Sequence, residues 1–130
     1  MATTIKGNLI MSKDMVYKGD LIVKGNILGK NGIRYDLKVN GNINAKDITT
    51  RIITARNLDA RDITAEDIEA VSIDAEDISA WNITAWDISA RNITYFAVCF
   101  AYYNIKCKSI IGTSNNAKHF VLDGKIEVVE

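Results

Sequence analysis

Proline is absent from this 130-residue chain, which also has only two cysteines, one histidine and eight glycines. Without proline there is no proline-rich linker, and nothing interrupts continuous backbone pairing. Two cysteines, Cys99 and Cys107, are too few for a disulfide scaffold. No run of about 18 apolar residues is present to span a membrane, and no charged-then-apolar N-terminal segment resembles a signal peptide. The expected setting is therefore the cytoplasm, with reduced thiols, or a virion if a phage encodes the chain. Neither charge is in excess, with 16 basic and 16 acidic residues. A protein that binds nucleic acid directly needs a basic surplus to displace counterions, so no such partner is expected. At 48% hydrophobic and 25% charged, the chain can bury a core and form one domain.

What is abundant is repetition. From Ala45 to Thr94 the chain runs in frames of five: AKDIT TRIIT ARNLD ARDIT AEDIE AVSID AEDIS AWNIT AWDIS ARNIT. The fourth position is isoleucine except for Leu58, and the first is alanine except for Thr50. The third is Asp or Asn except at Ile52 and Ser72. A period of five walks the isoleucines around an α-helix. In an uninterrupted strand it sends them to alternate faces. It becomes sensible when each frame holds a short strand and a corner. In Ile-Thr-Ala, alternation points Ile and Ala inward and Thr outward. The next two residues turn the chain, and Asp or Asn suits that corner by bonding nearby backbone. Large Ile and small Ala then fill a narrow interior. The expected fold is all-β: a single-stranded β-helix, or β-solenoid, whose coils stack about 4.8 Å apart.

The period and residue vocabulary resemble pentapeptide-repeat proteins, which repeat Ala-(Asp/Asn)-Leu and two freer residues in a right-handed, four-sided β-helix. Here the small residue lies two after the large one, as in Ile63-Thr64-Ala65, rather than two before it. Coil size has two readings. At 20 residues per coil, Ile52 and Ser72 share a column, as in four sides. At 15, Arg51 lies under Glu66 and Trp81 under Phe96, as in three. Four sides and a right-handed coil are the expectation.

Residues 1–44 carry a looser, glycine-containing motif: IKGNL at Ile5–Leu9, YKGDL at Tyr17–Leu21, VKGNI at Val23–Ile27 and VNGNI at Val39–Ile43. Alternation places Val, Gly and Ile on one face, and glycine permits close backbone approach in a narrow coil. These units resemble those of bactofilin-type polymer-forming proteins, and the resemblance implies assembly into filaments. They are expected to form irregular coils that run in phase into the regular coils of residues 45–94. Beyond Thr94 the small column swells to Tyr95, Phe100, Ile105 and Ile110, and the large column reads Val98, Tyr103 and Lys108. Asp123-Gly124 between His119–Leu122 and Lys125–Glu130 signals a hairpin. Residues 95–130 are expected to form an aromatic-rich C-terminal cap ending in that hairpin. The run YFAVCFAYYNIKCKSI followed by KHFVLDGKIE is similar to tails of short repeat proteins of bacteria and their phages.

Chemistry is sparse. His119 has no accompanying serine or cysteine motif, and the two cysteines lack further ligands at metal-binding spacing. Asp47, Asp62, Asp67, Asp77 and Asp87 recur at the corner, where turn formation explains them. No phosphate loop of the G-x-x-x-x-G-K-(S/T) type occurs. No catalytic, cofactor-binding or metal residues are assigned, and the chain is not expected to be an enzyme. Trp81 and Trp86 stand at successive variable positions and project outward, the two candidate partner-binding residues. Charge is segregated: net +4 over residues 1–44, −5 over 45–94 and +1 over 95–130.

Three functions are compatible with these features. The first is a non-catalytic structural or scaffolding solenoid that self-associates or joins a larger bacterial or phage assembly. Its partner is then another copy or an assembly protein, with no membrane and no small-molecule substrate. The second follows from the pentapeptide-repeat resemblance: an acidic mimic of the DNA duplex acting on a type II topoisomerase. The third is adhesion to a glycan or receptor through Trp81 and Trp86.

Overall fold

The computed structural model describes residues 2–128, and almost every element is a strand of one parallel β-solenoid of about 7 turns. The strands are β1 (Thr3–Ile5), β2 (Leu9–Met11), β3 (Met15–Tyr17), β4 (Leu21–Val23), β5 (Ile27–Gly29), β6 (Leu37–Val39) and β7 (Ile43–Asn44). They continue as β8 (Asp47–Thr49), β9 (Ile52–Asp59), β10 (Asp62–Thr64), β11 (Asp67–Cys107), β12 (Ser109–Gly112), β13 (Lys118–Val121) and β14 (Ile126–Val128). Pairing along β11 is continuous for 41 residues, because the chain turns its corners without leaving the ladder.

Register fixes the cross-section. Ile48 pairs with Ile63 and Ile63 with Ile78, while Ile53 pairs with Ile68 and Leu58 with Ile73. Each pairing spans 15 residues, three frames of five, so the regular coils have three sides and not the four expected. Six inward side chains complete each coil. From Leu58 to Ala70 these are Leu58, Ala60, Ile63, Ala65, Ile68 and Ala70, all buried. Three large and three small side chains close over the axis and shield it from solvent, and each buried isoleucine contributes roughly 1.5–3 kcal/mol.

The earlier coils are wider. Thr3 pairs with Leu21 and Leu9 with Ile27, 18 residues apart, and Met15 pairs with Leu37, 22 apart. In the Met15–Leu37 span much of the surplus is the excursion from Lys30 to Asp36. It holds a single 3-10 turn whose Asn31 and Gly32 take left-handed φ values of 57° and 76°. Glycine has the role expected of it in this region. A β-carbon on Gly25 would strike the Asn8 side-chain oxygen, and one on Gly41 would strike that of Asp20. Those oxygens accept the N–H groups of Asn26 (2.8 Å) and Asn42 (2.9 Å) in the coil above.

Two expectations for the C-terminal region are corrected. First, the inward residues after Tyr95 are Cys99, Ala101, Ile105 and Cys107, all buried, whereas Val98 and Tyr103 are exposed and Phe100 faces outward. Two sides have grown from five residues to six, and with alternation of period 2 each added corner residue moves the inward position by one. Second, β13 and β14 do not form a hairpin. Both pair in parallel with β11, Cys99 opposite His119 and Ile105 opposite Ile126. Asp123-Gly124 is a corner of the last coil: the Asp123 N–H donates to the Tyr102 carbonyl at 2.8 Å. A preformed ladder offers each strand more than an isolated two-stranded hairpin could. Val129 and Glu130, the end of the expected hairpin, lie outside the described residues. No described helix is long and apolar enough to cross a membrane.

Candidate functional site

The corner residues form ladders up the outside of the solenoid. Asp47, Asp62 and Asp77 stand in one column, each in register with the next. Asn92 continues it, donating from Nδ2 to Asp77 Oδ1 at 2.8 Å. Asn82 donates to Asp67 at 3.0 Å and Asn57 to Asn42 at 2.9 Å on the other corners. Two arginines make two-pronged bonds to the coil below, Arg51 to Asp36 (both 2.8 Å) and Arg61 to Asp47 (3.1 and 2.8 Å). Bonding from Arg51 holds the Asp36 carboxyl below the usual carboxylate range. Partial desolvation, reinforced by Asp47 and Asp77, pushes Asp62 above it.

Both tryptophans are outside, about half exposed, but at different corners. Trp81 stacks on Phe96 of the next coil with ring centroids 5.7 Å apart. Trp86 packs on Tyr102 (5.7 Å) and Tyr103 (5.8 Å). The side carrying Ile83 separates the two stacks, so the structure does not merge them into one patch. A third outward pair, Phe100 on Phe120 at 4.9 Å, lies near the C-terminal end.

The Trp81–Phe96 stack borders the side formed by Ile63 and Ile78. On that flat side the outward row is Thr64, Ser79 and Thr94, with Asp62, Asp77 and Asn92 along its far margin. Between this row and the rings lies a surface hollow of about 290 Å³, which Arg34 of the Lys30–Asp36 excursion also lines. The result is a trough parallel to the solenoid axis, with a hydroxyl floor, an aromatic wall and an opposing wall of carboxylate and amide groups. Sequence reasoning singled out Trp81 but missed Arg34 and the Thr64–Ser79–Thr94 row. The 15-residue spacing would have revealed the row, since it places those three residues in consecutive coils.

The remaining candidates are structural in position. The Tyr95 hydroxyl lies 2.6 Å from His119 Nδ1, at the open C-terminal end of the core. Cys99 and Cys107 are free and buried. Burial, with a smaller contribution from Cys107, pushes the Cys99 thiol up to about 12; burial also raises Cys107. Among the described residues no three His, Cys, Asp or Glu side chains are grouped to hold a metal ion. Compared with protein-family models, curated proteins and solved structures, the chain matches none, so its likeness to pentapeptide-repeat and bactofilin-type proteins stays at the level of repeat vocabulary.

Proposed function

We propose that this chain is a non-catalytic scaffolding solenoid that associates with further copies of itself end to end. The observation that carries this reading is the state of the two ends. Among the described residues, β1, β2 and β3 pair only with the coil above, and β12, β13 and β14 only with β11 below. Each end therefore offers three parallel edges in one triangular outline, a template for another chain. Corner charges favour one mode of stacking. At the corners that open their last sides, the first coil carries Asp14 just before β3, and the last coil carries Lys125 just before β14. Continuing the spiral from one copy into the next sets β1 on β12, β2 on β13 and β3 on β14, with Asp14 against Lys125. The duplex-mimic reading is weaker, because Arg51 and Arg61 neutralise acids on the flanks.

Size-exclusion chromatography with light scattering tests the proposal. Mass should grow with concentration, and the variant K125E should remain monomeric. Mixing that variant with D14K copies should restore assembly. A wild-type chain that stays monomeric at high concentration would overturn the reading.

A further inference from the structure

We infer that the trough beside Trp81 is a binding site for an extended, uncharged polysaccharide chain lying along the solenoid axis. Three chemistries on three sides of the trough select that ligand. The exposed Trp81 and Phe96 rings present broad π-faces, which pack against the C–H faces of a pyranose ring. The floor of Thr64, Ser79 and Thr94 supplies hydroxyls that both donate and accept hydrogen bonds. Opposite the rings, Asp62 and Asp77 accept from sugar hydroxyls, and Arg34 donates from the wall's own side.

Charge excludes the other ligands that aromatic rings attract. A nucleic acid stacking on Trp81 would bring its phosphates against Asp62 and Asp77 of the corner column, where Arg61 is held by its two bonds to Asp47. An anionic glycan meets the same column. A neutral polyol satisfies these carboxylates by hydrogen bonding and brings no charge of its own. The repeat also suits a polymer, because a hydroxyl recurs with a carboxylate or amide in each successive coil of the trough, about 4.8 Å apart. Beside the Trp86 stack the outward row carries a carboxylate, Glu69, in register with Thr54, in place of a run of hydroxyls, which separates the roles of the two tryptophans.

The site lies on the flank, so it is independent of end-to-end association and is present equally in K125E. Isothermal titration of that variant with cellohexaose, laminarihexaose and maltohexaose tests the inference. At least one hexasaccharide should bind saturably and perturb tryptophan fluorescence. Trp81→Ala should weaken its affinity by about tenfold or more, the loss of one good ring contact. Trp86→Ala should leave affinity unchanged. Arg34→Ala, on the excursion outside the coil ladder, should also weaken binding without lowering the melting temperature. Absence of saturable binding to all three saccharides, or undiminished binding by the folded Trp81→Ala protein, would overturn it.

Discussion

The Asn8 side-chain oxygen occupies the space that a β-carbon on Gly25 would need, and it accepts the N–H of Asn26 there at 2.8 Å. The Gly-Asn pair of one coil is thus matched to the Asn of the coil beneath. Gly25→Ala should cost about 1–3 kcal/mol, the loss of a satisfied backbone group plus local displacement. Gly7, whose β-carbon would meet nothing within 4 Å, should tolerate alanine. Urea unfolding of the two variants compares them directly.

The inward assignment is tested at Ile78, buried against the axis. Ile78→Asp places an unpaired charge in a dry interior and should cost more than about 4 kcal/mol, enough to unfold a marginally stable domain. Arg56, exposed and outward, should accept serine within about 0.5 kcal/mol. Circular dichroism melts of the pair should differ widely; equal melts would refute the inside-out order.

Thr50 stands where nine of ten frames have alanine, fully buried, and its hydroxyl has no partner among the described residues. Thr50→Val keeps the branched shape and removes the unsatisfied group. The variant should gain about 1 kcal/mol. A lower melting temperature than wild type would mean that the hydroxyl is bonded in solution.

Two carboxylates respond to pH in opposite directions. Asp36 is held low by Arg51, so its stabilising contribution exists above the ordinary carboxylate range and is lost as pH falls through its lowered value. Asp36→Asn should therefore melt lower than wild type at pH 7, with the gap closing in acid. Asp62 is pushed up, so its charged form is penalised in the fold at neutral pH and relieved as pH falls through the raised value. Asp62→Asn should melt slightly higher at pH 7, again converging in acid. Calorimetry from pH 7 to 2 follows both.

The thiols should be inert while the fold stands. With Cys99 pushed up to about 12 and Cys107 also raised, little thiolate forms at pH 8. A thiol reagent at that pH should label neither cysteine in the native protein and both in denaturant. Rapid native labelling would show that the last coils open.

The amino-acid sequence by itself determined which side chains face the axis between Ala45 and Thr94. Alternation and corner chemistry are local, and they set Ile and Ala inside wherever the frame of five holds. The frame also marked Trp81 and Trp86 as exposed. Only the tertiary structure decided how many sides make a coil. Each corner's bend, and the coil on which each strand lands, depend on packing around the whole ring, so both 15- and 20-residue columns could be read from the same frames. The same limit hid the phase change after Tyr95 and turned Asp123-Gly124 into a corner. It also hid the trough, because Arg34, Thr64, Ser79 and Thr94 become neighbours of Trp81 only when three sides close and successive coils stack.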